Sequence, residues 1–168
     1  MFFKTAKKDK KIGAWILGFA AGLSAPAAHA AESAVEGWHV VLHARSWHSS
    51  HPPKERWNEH NGGLGLRHAW APAWAWQIGA YRNSLHRVTS YGLIDWTPLK
   101  LGRWHVGAGA GLTVGGYAAP YKLAAGLQAR YQLGLGSVAL RLFPKPPQHQ
   151  TNVHRTAVLA MELGWRFP

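Results

Sequence analysis

Cysteine is absent from all 168 residues, so neither a disulfide framework nor a lipid-modified cysteine anchor is available to this chain. Acidic side chains are scarce as well: seven Asp and Glu stand against 19 Lys and Arg, a formal charge of +12. Hardly any stretch carries a long helical apolar stripe, and the apolar run 12–23 falls short of the ~20 residues that a membrane-spanning helix needs. No nucleotide, haem or dinucleotide motif is present either. The stretch Gly109-Ala110-Gly111 sits inside a strand pattern with no helix after it, so it is not a phosphate loop, and no cofactor is expected.

What the chain does have begins at its N-terminus. Lys4, Lys7, Lys8, Lys10 and Lys11 precede the apolar run, which ends in the small-residue site Ala28-His29-Ala30. That order is the pattern of a cleavable secretory signal peptide, and residues 1–30 are set apart from the fold on that basis. Residues 31–168 then suffice for one domain. Cleavage takes five Lys and one Asp with it, leaving 14 basic against 6 acidic residues and a formal charge of +8. An exported chain of this charge faces anionic lipid and lipopolysaccharide phosphates; nucleic acid is not an expected partner.

Ten Trp, five Tyr and 19 Gly point to strands, since aromatic side chains favour pleated, half-buried surfaces. A period of two runs through the mature chain. Trp38, Val40, Leu42 and Ala44 alternate with His39, Val41, His43 and Arg45; Trp74, Trp76, Ile78 and Ala80 alternate with Ala75, Gln77, Gly79, Tyr81 and Asn83. The clearest case sets Trp104, Val106, Ala108, Ala110, Leu112 and Val114 against His105, Gly107, Gly109, Gly111 and Thr113. Similar patterns cover 123–132 and 156–167, and weaker ones fall at 63–70, 87–97 and 137–143. The expectation is an all-β, eight-stranded antiparallel up-and-down transmembrane β-barrel in the outer membrane of a Gram-negative cell, acting as a monomer. Its apolar face would meet lipid and its polar face would be enclosed.

The connections agree with that reading. Those at 71–73, 99–102 and 133–136 are compact, whereas 49–62 and 144–154 are long and polar, which places the N-terminus in the periplasm and the long loops outside. Tryptophans near strand ends, among them Trp38, Trp70, Trp74, Trp104 and Trp165, would form aromatic girdles. A soluble lipocalin-like barrel has the inverse pattern, but the polar face here is too sparse for a solvated exterior, and the Trp and Leu face would overfill a small core.

Short motifs between residues 38 and 99 resemble the lipid A palmitoyltransferase family, PagP. Leu42-His43-Ala44-Arg45 resembles the family's Trp-His-Ala-Arg, which contains its catalytic histidine. Arg56-Trp57-Asn58-Glu59 and Gly62-Gly63-Leu64-Gly65-Leu66 resemble its Arg-Tyr-Asn-Glu and its glycine-rich second strand. Asn83-Ser84 stands where the family has Asp-Ser, and Tyr91-Gly92 with Trp96, Pro98 and Leu99 resembles the segment whose glycine floors its acyl-chain pocket. The resemblance implies transfer of a phospholipid acyl chain to lipid A, with His43, Ser84 and Asn83 as catalytic residues and Gly92 and Tyr91 as substrate-binding residues. His43 with Ser84 could supply the base and the oxyanion donor that acyl transfer needs. Asn83 cannot carry the charge of an Asp.

The same residues admit a structural reading. His43 could be an interior histidine paired with Glu162, Asp95 or Gln77, and Ser84 a turn residue. The inward Gly107, Gly109 and Gly111 open an acyl cavity or relieve crowding, and the three in succession incline to the cavity. A non-catalytic barrel with a structural or adhesive role is therefore the alternative. It is favoured by Asn83, a shorter first outer loop and the lack of the family's helix before its first strand. A lipid A deacylase is a third, lesser option. His43, His48, His51, His60 and His68 match no ligand spacing, so no metal site is expected. Lys54 and Arg56 could meet lipopolysaccharide phosphates or simply be solvated.

Overall fold

The computed structural model describes residues 36–50, 57–116, 120–145 and 156–167. The expected signal segment, the cluster at Lys54 and Arg56, His51, and most of the last long connection lie outside the described residues.

Eight strands run in chain order: β1 (Gly37–His48), β2 (Gly63–Ala71), β3 (Trp74–Arg82), β4 (Val88–Leu101), β5 (Trp104–Val114), β6 (Tyr121–Leu133), β7 (Gly136–Phe143) and β8 (Val158–Arg166). Each pairs antiparallel with its neighbours, and β1 pairs with β8, so the sheet closes on itself and no edge is left unpaired. Two-residue turns join β2 to β3, β4 to β5 and β6 to β7. In the second of these, Gly102 takes a φ of 61°, a left-handed conformation that glycine adopts without cost. This end is called the turn side; the opposite one is the loop side.

Alternation sorts the side chains as the period of two predicts, with the greasy side out and the polar side enclosed. Leu64 is 60 % exposed, Leu123 78 % and Leu127 63 %, while Arg130, Arg141, Gln77, Asp95 and Glu162 are all buried to 2 % exposure or less. A water-soluble barrel would have these reversed. On the turn side the outward face is crowded with aromatic rings. Trp38 meets Trp76 edge-on at 5.3 Å and Trp104 lies 4.9 Å from Tyr131.

Register shifts fall on β1, on β2 between Ala69 and Ala71, and on β4, and those on β1 and β4 bear on the interior. On β1, His43 pairs with Glu162 and Arg45 with Met161, so Ala44 is an extra residue and every side chain after it changes sides. Arg45, expected inside, points out and donates to Glu59 Oε2 at 3.3 Å; Ser46 and His48 turn inward. On β4, the register shifts between Trp96 and Leu99, where Pro98 occupies a position that owes no ladder hydrogen bond. The shift carries β4 on to Leu101, four residues past its expected end, and keeps Leu99 and Leu101 outward.

Candidate functional site

Two polar clusters occupy the interior at different heights. The central one is built on Arg141. Its Nη1 donates to Asp95 Oδ1 at 2.7 Å and its Nη2 to Asp95 Oδ2 at 3.2 Å, while its Nε donates to Glu162 Oε1 at 3.2 Å. A planar guanidinium suits this double bridge because its donors are held in a fixed fork. Arg67 and Arg130 stand further off, 3.9 Å from Asp95 and 3.7 Å from Glu162.

His43 belongs to this central cluster. Its Nδ1 lies 3.8 Å from Glu162 Oε1, and its Nε2 is hydrogen-bonded to the Tyr91 hydroxyl at 2.7 Å. Gln77 Nε2 donates to the same hydroxyl at 2.9 Å. Tyr91 reaches them because Gly65 and Gly79, paired across β2 and β3, leave its ring room; a Cβ on either would run into the hydroxyl. The sequence offered Glu162, Asp95 or Gln77 as partners for an interior His43. The structure gives Glu162 directly and Gln77 through Tyr91.

The second cluster lies at the loop-side rim. Ser84 Oγ and His48 Nε2 are hydrogen-bonded at 2.8 Å. The His48 ring lies against Trp57, centroids 4.4 Å apart, and Asn58 holds the turn from beneath. The Asn58 backbone N–H donates to Ser84 O at 2.9 Å and its Nδ2 to Asn83 O at 3.1 Å. Ser84 therefore meets His48, not His43, and no hydrogen bond joins Ser84 to His43 among the described residues.

Asn83 is fully buried and shapes the turn itself. Its Oδ1 accepts from the N–H groups of Leu85 and Arg87 at 2.9 and 3.0 Å, and its Nδ2 donates to Thr89 Oγ1 and Gly116 O at 2.9 and 3.0 Å. All four contacts need an amide, with an acceptor on one side and a donor on the other. An Asp here would set a carboxylate oxygen against the Gly116 carbonyl. His86, with a φ of 61°, closes the same turn.

Of the two residues expected to bind substrate, Tyr91 faces inward and Gly92 does not. Gly92 pairs with Ile78 and Leu112, both outward and exposed, so it forms no floor of an interior pocket. The three β5 glycines face inward, yet the space beside them is taken. A Cβ at Gly107 or Gly111 would strike the β4 backbone, and one at Gly109 would strike the Arg141–Asp95 pair. They permit close packing and do not open an acyl cavity. A hollow of ≈ 510 Å³ lies on the outward face instead, between Trp74, Trp96, Leu127 and Leu142 over Ala108 and Ala110.

Sequence reasoning missed His48 as a partner because the β1 alternation was carried straight through Ala44. One signal was available: unbroken parity would turn Trp47 inward and Ser46 and His48 out among the apolar side chains. Comparison with protein-family models, curated proteins and solved structures returns no match.

Proposed function

We propose that the chain spans the outer membrane of a Gram-negative cell and transfers an acyl chain from phospholipid to lipid A at its loop-side rim, with Ser84 as nucleophile and His48 as its base. The membrane reading is supported by the signal pattern, the apolar outward face, the enclosed charges and the aromatic ring at the turn side. The chemistry rests on one observation, the 2.8 Å contact between Ser84 Oγ and His48 Nε2, which is nucleophile-to-base distance. The proposal keeps the lipid substrates that the resemblance to lipid A palmitoyltransferases implies, and changes the histidine.

The steps balance without a cofactor. His48 Nε2 takes the Ser84 proton as Oγ attacks the ester carbonyl, then returns it to the departing lysophospholipid oxygen. A lipid A hydroxyl, deprotonated by the same nitrogen, displaces the acyl group from Ser84, and the proton goes back to Oγ. Asn83 fixes the turn that carries Ser84, and Trp57 holds the imidazole plane.

Mass spectrometry of lipid A from cells with and without the protein tests this. An added acyl mass should vanish with Ser84→Ala and His48→Ala and persist with His43→Ala. Loss with His43→Ala alone would return the base to the interior. A second reading, a non-catalytic envelope barrel, is favoured by the engaged state of His43 and the occupied space beside the glycines. Unchanged lipid A on expression of the wild-type chain would select it.

A further inference from the structure

One register row crosses five strands on the outward face: Trp74, Trp96, Ala108, Leu127 and Leu142 pair in turn from β3 to β7. Its middle position carries only a methyl. In the next row Ala110 pairs with Ala125, and both are exposed, so two neighbouring strands lack side chains long enough to fill the wall. The ≈ 510 Å³ hollow is the result, with Trp96 and Ile94 on one flank, Leu127 and Leu142 on the other, and no charged residue in its lining.

On the membrane reading, on which this inference rests, the medium against that wall is acyl chain. A convex wall touches a passing chain on one side only, whereas a hollow also touches it from its flanks, and the added contacts hold it. A methylene takes roughly the ~30 Å³ of a liquid water molecule, so the hollow has about the volume of one long acyl chain.

The β4–β5 hairpin supplies a hold for the other end of such a lipid. Pairing of β3 stops at Trp74 and Trp96, but β4 continues to Leu101, so the hairpin overhangs the β2–β3 turn by five residues. It carries Lys100 and Arg103, both exposed at the turn side. Arg103 precedes Ala108 by roughly 16 Å of strand, about the half-thickness of a ~30 Å hydrocarbon core. Among the described residues the one acid at this end is Glu36, which lies before β1 on the opposite wall.

A second barrel is the competing occupant, and the same charge disfavours it. Two copies inserted alike are related by an axis along the membrane normal, so a contact through the hollow sets hairpin beside hairpin and cation against cation. We propose that the hollow and the β4–β5 hairpin together bind one anionic phospholipid of the turn-side leaflet, its acyl chain over Ala108, Ala110 and Ala125 and its phosphate at Lys100 and Arg103. The lipid is a fixed part of the wall and takes no part in the reaction at Ser84.

Native mass spectrometry of the barrel, folded in detergent and titrated with phosphatidylglycerol or with phosphatidylcholine of the same chains, tests this. One phosphatidylglycerol should stay bound per barrel, with phosphatidylcholine held less. Arg103→Gln should weaken that binding about fivefold. Ala110→Leu with Ala125→Leu, which fills the floor, should abolish it, and Leu163→Ala, outward on β8, should leave it unchanged. Equal retention of the two lipids, or retention that survives the filled floor, overturns the site; a dimer lost on filling the floor gives the hollow to a second copy. Flotation with vesicles of the same lipids separates the two failures. A barrel that inserts yet retains no lipid refutes the site alone, whereas one that stays in the aqueous phase refutes the membrane reading with it.

Discussion

At the turn side the strands are joined by two-residue connections, aromatic rings crowd the outward surface, and Arg67, Arg130 and His105 gather inside. At the loop side the outward surface carries Arg45, Arg82 and Arg87, and the interior is held by uncharged groups, Asn58, Asn61, Asn83, Thr89 and Thr113. Both ends are densely hydrogen-bonded, yet they differ in what would happen if a partner were removed. Charges buried in the middle and at the turn side lock the barrel, since breaking a buried pair leaves the survivor uncompensated. The amides at the loop side hold a turn in shape, and a neutral group can be lost there at smaller cost.

The hardest blow to that contrast is Arg141→Ala, which strands Asp95 and Glu162 together. It should destabilise the folded barrel by about 3–5 kcal/mol, read from denaturant unfolding in lipid or detergent. A loss below about 1 kcal/mol would show that the network is not what holds the interior.

The outward surface can be tested next. Leu127→Arg puts a charge at mid-strand on β6, on the face proposed to meet hydrocarbon. Folding into bilayers should weaken by about 2–4 kcal/mol. An unaffected variant that stays dissolved without detergent would contradict the membrane reading.

Within the interior, Gly65→Ala should push the Tyr91 hydroxyl off His43 and cost about 1–3 kcal/mol. Pairing it with Tyr91→Phe, which removes the atom the new methyl meets, should recover part of that loss, a coupling visible in a double-mutant cycle. Strict additivity would mean that the glycine pair is not there for the tyrosine.

The smallest change sharpens the loop-side half. Asn83→Asp restores the acidic residue of the resembled family, but at a buried site where Nδ2 donates to Thr89 and Gly116. The expected loss is about 1–3 kcal/mol with no gain in acyl transfer. A rise in added acyl mass with Asn83→Asp would instead make residue 83 part of the chemistry.

Much of the barrel was legible before any coordinates. Strict alternation along β5, from Trp104 to Val114, leaves a strand little freedom, because slipping by one residue would exchange its two faces. The three short connections identify the turn side for the same reason: tight antiparallel turns need few residues. The pairing inside was only half legible. Inward positions such as Gln77, Asp95 and Glu162 can be named from parity, but which of them touch depends on the stagger of non-adjacent strands, and no local pattern encodes that. Arg141 reaching both Asp95 on β4 and Glu162 on β8 is such a case. Bulges were hard to read for a different reason, since one added residue leaves composition and hydropathy almost untouched, and on β1 only the misplaced parity of Trp47 and His48 marks it. That is why Arg45 was placed inside and His48 was not considered for Ser84, and why β4 was ended before Leu101.

The extra residue at Ala44 also bears on how such a chain can change over generations. Its deletion would alter neither charge nor any side chain larger than a methyl, and because the residue is bulged out of the ladder its loss would leave Arg45 opposite Met161, Trp47 outward and His48 inward beside Ser84. A lineage could thus gain or lose one codon at this point of the wall and keep the rim pair, provided the added residue is taken up as a bulge.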